Sequence, residues 1–211
     1  MPAMTLITTK SKGGRPRQSQ AGEAERRLLD AALQRFLANG VEGTSCEDIA
    51  RAAGASKATL YARYANKEAL FEAVVRRHVS TLMVPAETIP ALPLEGRLRH
   101  VGHGILDHAL QPDTLAMMRL VIATSSRTPL LAAEVNRIGW EGGFTRVQSA
   151  ILAGPDRPSD PEALALQFID LVFAPHQLRA LLGGDREQLI QAIPERVEWG
   201  LKLVQAAGLL E

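Results

Sequence analysis

TSCEDIARAAGASKATLYARYANKEAL, residues 44–70, is the stretch whose reading decides the fold. Its pattern predicts two short helices, a glycine turn between them and the start of a third, longer helix. Thr44 can cap the first helix, and Glu47, three residues on, can complete a capping box. Ile49, Ala50 and Ala53 give that helix an apolar face. Gly54 falls where the chain must turn sharply, and glycine accepts a positive φ without a Cβ clash. Ser56 is the expected N-cap of a helix over Lys57 to Tyr64, and Asn66 that of the helix opening at Lys67.

A helix, a tight turn containing glycine and a second short helix form the helix-turn-helix pattern, in which the second helix lies in the DNA major groove. Leu60 can anchor that second helix inward. Lys57, Thr59, Tyr61, Arg63 and Tyr64 are left to face outward, with donors suited to phosphates and base edges. The competing reading is an ordinary helical corner with a solvated polar face.

Thr59-Leu60-Tyr61, then Tyr64, then Asn66-Lys67-Glu68-Ala69-Leu70, with Asp48-Ile49-Ala50, Ala53-Gly54 and Ser56-Lys57 before them, resemble the DNA-binding signature of the TetR family of bacterial transcriptional regulators. The resemblance covers about the first eighty residues. It implies an all-α chain: a three-helix head with the helix-turn-helix, plus a larger C-terminal helical ligand-binding and dimerisation domain, about nine helices in all. Carried over position by position, Ser45, Lys57, Thr59, Tyr61, Tyr64 and Lys67 match DNA-contacting sites of the family. Glu47 departs from it, since a carboxylate near phosphates repels; it either caps its helix or accepts from a cytosine amine. The implied partners are double-stranded DNA carrying a palindromic operator, a second copy of the chain, and a small, mostly apolar effector that releases a repressor from the operator. An activator or a ligand-independent regulator is the nearest alternative.

Length and composition agree with a helical chain. The 211 residues are 46% hydrophobic but only 4% aromatic. Alanine and leucine dominate, and strand-like runs are scarce. The single cysteine excludes an internal disulfide and suits a reducing cytoplasm, the expected location. No stretch approaches the roughly 20 apolar residues of a membrane span, and no apolar segment follows the N-terminal lysines as a secretory signal requires. The net charge of +1 conceals an asymmetry: residues 1–80 hold 13 Lys/Arg against 8 Asp/Glu, whereas residues 81–211 hold 11 against 15. One end is built to meet a polyanion and the other is not.

Outward from the core stretch, residues 1–21 contain no acidic residue and no periodicity, and are expected to be a disordered basic arm. Arg15 and Arg17, within Gly14-Arg15-Pro16-Arg17, are candidates to enter a minor groove beside the docked head. The alternative is a solvated tail adding only non-specific charge. The DNA-binding head is placed at 22–68 and the effector-binding and dimerisation domain at 69–211. Glu23 to Asn39 reads as the head's first helix, ended by Gly40, and the helix from Lys67 is shared between head and body, with the break near Val84 to Pro93. Five helical stretches follow: Leu94–Leu110, Asp113–Ser126, Pro129–Leu152, one opening at Asp160-Pro161-Glu162, and one capped by Asp185. Pro175 and Pro194 fall inside the last two and should kink or split them.

Cys46 reads as a small packed residue rather than a redox sensor, because Glu47 and Asp48 beside it disfavour a thiolate. His100, His103 and Asp107 share one helical face and could line a polar cavity, lie solvated or in the core, or hold a metal. No fourth ligand is nearby, and neither a metal nor another cofactor is expected. His103, Met117, Met118, Val121 and Trp140 are the candidate effector pocket, against an ordinary core role for the methionines. Phe168, Leu171, Val172, Val197, Leu201 and Val204 mark faces of the last two helical stretches that either close the monomer core or bury against a second subunit. A helical enzyme or carrier is the rival from another class; no nucleophile elbow, phosphate loop or CxxC motif supports it, and the chain is read as not an enzyme.

Overall fold

The computed structural model describes residues 17–82 and 88–211, with side chains for 22–79 and 88–211. Arg15 therefore lies outside the described residues, and so does the side chain of Arg17. Eleven helices and no strand occur among the described residues. By packing, the described residues form two compact units that divide between Phe71 and Glu72.

The first unit holds α1 (Arg17–Asn39), α2 (Cys46–Ala52), α3 (Lys57–Tyr61) and the first turn of α4 (Lys67–Leu82). Residues 17–21 of the expected arm are thus helical. Leu28, Ala32, Phe36, Ile49, Leu60 and Leu70 are fully buried in this unit. Phe36 meets Phe71 edge to face, with ring centroids 5.5 Å apart, so the opening turn of α4 belongs to the head core. Further along α4, Arg76 pairs with Glu134 at 3.0 Å inside the second unit. The break between the two units therefore falls within α4, between Phe71 and Glu72.

The second unit is built from α5 (Leu94–Ala109), α6 (Pro112–Thr124), α7 (Pro129–Leu152), α8 (Pro161–Val172), α9 (Ala174–Leu181), α10 (Arg186–Gln191) and α11 (Ile193–Ala206). Its core joins Leu98, Leu106, Val147, Ile151, Leu164 and Phe168 with Val172, Val197, Leu201 and Val204. Helix α7 lies against α5 and α8, and α11 closes over the same two helices. That approach requires a small residue: a Cβ on Gly200 would stand 2.6 Å from Val172 Cγ2.

The two prolines explain why there are eleven helices rather than nine. Pro175 and Pro194 each sit in the first turn of a new helix, α9 and α11, splitting the last two stretches. A proline cannot donate to the carbonyl four residues back. For Pro175 that carbonyl belongs to Leu171, and the Arg196 guanidinium donates to it instead. Arginines take other helix ends in the same way. Arg119 donates to the Ala180 and Leu181 carbonyls at 2.6 and 3.2 Å, and Arg186 to the Leu110 carbonyl at 2.6 Å. Arg97, only 2% exposed, donates to the Ala150 and Ile151 carbonyls at the C-terminal end of α7. The last carbonyls of a helix have no N–H within that helix to accept from, and a guanidinium can supply the donor.

Candidate nucleic-acid interface

Helix α2 begins one residue later in its capping than the sequence suggested. Ser45, not Thr44, is the N-cap: its hydroxyl oxygen accepts from the Asp48 N–H at 3.1 Å and its hydroxyl donates to Asp48 Oδ2 at 2.6 Å. Thr44 is buried, and its hydroxyl is turned to the Gly40 and Arg35 carbonyls at 2.7 and 3.1 Å, tying the end of α1 to the start of α2. Glu47 is consequently free of capping work and reaches across the turn to Lys57.

The turn itself follows its residues. Gly54 has φ +63°, the Ala55 N–H reaches the Ala50 carbonyl at 2.9 Å, and the Gly54 N–H reaches Arg51 at 3.2 Å. This is a Schellman ending, which an L residue at Gly54 would strain. Ser56 then caps α3, accepting from the Thr59 N–H at 3.0 Å.

Helix α3 spans Lys57–Tyr61, shorter than expected, and its faces are sharply divided. Leu60 is fully buried, whereas Tyr61 is 44% exposed. Lys57 is exposed and Thr59 is half-buried, its hydroxyl 2.8 Å from that of Ser56. Exposed Arg63 follows the helix and reaches back to the Thr59 carbonyl at 3.4 Å. Lys57 Nζ donates to Glu47 Oε1 at 2.5 Å. That hydrogen bond holds the Glu47 carboxyl below its ordinary value and the Lys57 ammonium above its own. The Cys46 thiol beside the Tyr61 hydroxyl, chiefly through a hydrogen bond, raises the phenol. Cys46 itself is buried, as a packed residue should be.

Tyr64 does not face outward. Its ring is 8% exposed, and its hydroxyl donates toward Glu25 on α1 at 3.4 Å. The Tyr64 N–H still reaches the Leu60 carbonyl at 3.0 Å, so the helical turn continues and Tyr64, four residues after fully buried Leu60, shares its inward side. Lys67, at the first position of α4, is half-buried and donates to the Thr44 carbonyl at 3.3 Å, while Asn66 caps the helix through the Ala69 N–H at 2.8 Å. Of the six expected head residues, Ser45, Lys57 and Tyr61 are exposed, Thr59 and Lys67 are half-buried, and Tyr64 is buried. The Glu47–Lys57 contact was not visible in the sequence. Only the unusual charge of Glu47 hinted at it.

The candidate residues of the body behave differently. Met117 and Val121 are buried on α6, outside the main core cluster, and Met118 is half-buried. Trp140 is 40% exposed and stacks on Phe144, with centroids 5.4 Å apart. His103 is half-buried, while His100 and Asp107 are exposed. No group of three His, Cys, Asp or Glu residues among the described ones could hold a metal. One open cleft in the body, about 390 Å³, is lined by residues that include His176, Arg179, Glu195, Arg196, Trp199 and Lys202. None of the five expected pocket residues lines it. Arg196 stacks over Trp199 there, 4.6 Å from the ring centroid; burial, and then Arg179, lower its pKa.

Phe168, Val172, Val197, Leu201 and Val204 are buried in the monomer core, and Leu171 packs half-buried against it. Of the two roles open to these faces, they close the subunit's own core. Large apolar side chains left in solvent here are Leu178 on α9, Leu182 just after it, and Trp199 and Leu203 on α11. No helix among the described residues is long and apolar enough to cross a membrane.

Comparison with known proteins matches both units. A family model described as bacterial regulatory proteins of the tetR family covers residues 28–74, and one described as the C-terminal domain of AefR-like transcriptional repressors covers residues 96–206. The HTH-type transcriptional repressor ComR of Escherichia coli K12 is 41% identical over 70 residues, which span 33% of this chain and 31% of ComR. The chain therefore spans under a third of that curated relative. Among solved structures, the flavonoid-responsive regulator FrrA is 30% identical with a TM-score of 0.67, covering 88% of this chain and 97% of FrrA. A TetR transcriptional regulator of Agrobacterium tumefaciens shares the fold at 24% identity and a TM-score of 0.68, covering 85% of this chain and 93% of that one.

Proposed function

The chain belongs to the TetR family of bacterial regulatory proteins, and from that premise we propose that it is a homodimeric repressor released from a palindromic operator by a small molecule. The observation that carries the DNA-binding part is the division of α3. Leu60 is fully buried in the head, while Lys57 and Tyr61 are exposed and Thr59 is half-buried. Donors on a rigid short helix of this kind suit base edges, and Lys67 at the start of α4 suits a phosphate.

One short helix reads few bases, so a two-fold pair is needed to reach two half-sites, about 34–36 Å apart or a multiple of that distance. Leu178 on α9, Leu182 just after it, and Trp199 and Leu203 on α11 are exposed apolar side chains suited to such a pairing. Release by an effector draws support from the name of FrrA, a flavonoid-responsive regulator, and from the repressor-type body. The effector must bind two conformers of the dimer with different affinity, or it shifts nothing.

Footprinting the purified full-length protein on the DNA flanking its own gene is the test. Two protected half-sites on one face of the duplex, weakened by a compound from a panel of small aromatics that includes flavonoids, would support the reading. A head that protects no DNA at any salt concentration would end it.

A further inference from the structure

Glu47 and Lys57 belong to different helices, yet their charged ends meet at 2.5 Å with side chains 59% and 55% exposed. Such a surface pair contributes little to stability. The pair stands at the N-terminal end of α3, the end of a recognition helix that meets base edges. A carboxylate on that surface is repelled by the phosphates unless the groove floor offers it a donor.

The ammonium of Lys57 has three protons. One is taken by Glu47 Oε1, leaving two. In the major groove, guanine presents two neighbouring acceptors, N7 and O6, and its paired cytosine presents the N4 amine as a donor beside them. An adenine offers only one acceptor before its own amine interrupts the row. We infer that Glu47 and Lys57 together read one G·C base pair in each half-site, Lys57 donating to the guanine and Glu47 accepting from the cytosine amine. The inference rests on the DNA-binding function proposed above and assigns a specificity-determining role to the residue that departs from the family pattern. Arg51, the nearest exposed cation on α2, is held by Asp48 at 3.0 Å and leaves the carboxylate of Glu47 to Lys57.

The test is selection of binding sites from a random duplex library with the full-length protein, then dissociation constants for every single base-pair change in the selected site. The expected result is one symmetric G·C position where substitution weakens wild-type binding about tenfold. Lys57→Met and Glu47→Ala should each flatten the preference at that same position, and the double variant should flatten it no further. Glu47→Gln keeps an acceptor oxygen without the charge and should retain part of the preference. The inference is overturned if Glu47→Ala rescales affinity equally for all sequences, if Glu47→Ala and Glu47→Gln are indistinguishable, or if the position affected differs from that of Lys57→Met. A wild-type protein that selects no sequence at all would instead bring down the DNA-binding reading, and this inference with it.

Discussion

Replacing Arg97 by methionine should weaken the body more than any surface change, and the structure says by how much. The guanidinium is 2% exposed and donates to the Ala150, Ile151 and Leu92 carbonyls at 2.6, 3.2 and 2.7 Å, and to Asp156 Oδ1 at 2.7 Å. Methionine keeps an apolar stem but leaves those carbonyls without their donor, two of them at the C-terminal end of α7. Breaking a buried charged network costs about 3–5 kcal/mol. The Asp156 side chain is 42% exposed, so water can replace part of what is lost, which argues for the lower bound. A loss of about 3 kcal/mol corresponds to a fall in Tm of about 6–12 °C for a chain of this size. Thermal unfolding followed by circular dichroism measures it, and hydrogen exchange should rise first at the end of α7. The Asp156 carboxyl is held below its ordinary value, chiefly by the hydrogen bond from Arg97 and then by that from the Leu94 N–H. A carboxyl depressed in the folded state adds stability above its unfolded pKa, about 3.9, and that stability is lost as pH falls through the folded value. Asp156→Asn should therefore lose less stability than Arg97→Met and flatten the acid side of the Tm–pH curve. A change of under about 2 °C for Arg97→Met at neutral pH would refute the reasoning.

Lys67→Ala and Tyr61→Ala should both weaken operator binding. Lys67→Ala should also lower the slope of log K against log salt by about 1, and an unchanged slope would remove Lys67 from the phosphate contacts. Gly200→Ala places a Cβ 2.6 Å from Val172 Cγ2 and should destabilise by about 1–3 kcal/mol, less about 1 kcal/mol of regained helix propensity. A urea midpoint that rises instead would show the α8–α11 contact to be looser than described. Leu178→Glu with Leu182→Glu, at positions 56% and 79% exposed, should give a folded monomer in sedimentation equilibrium. A dimer of unchanged affinity would mean that α9 lies outside the interface.

The amino-acid sequence alone determined what short-range chemistry controls. The glycine at position 54, the Ser56 cap, the Asn66 cap and the two splitting prolines act over four or five residues, and each acts where the sequence places it. Helical periodicity likewise found the apolar faces. It could not say which neighbour each face would meet, because that choice depends on residues far away in the chain. The face of Phe168, Val197 and Leu201 suited a subunit interface and a core equally well; only the closure of α11 over α5 and α8 decided for the core. Tyr64, read as facing outward, follows Leu60 by four residues and turns inward with it, and Glu25, 39 positions back, receives its hydroxyl. Arginines show the limit most plainly. In sequence they are surface charges, but Arg97 reaches carbonyls more than 50 residues on and becomes the end of another helix. The charge of Glu47 stood out in the sequence, but its partner was set by the angle at which the Gly54 turn joins α2 to α3, a property of the folded chain.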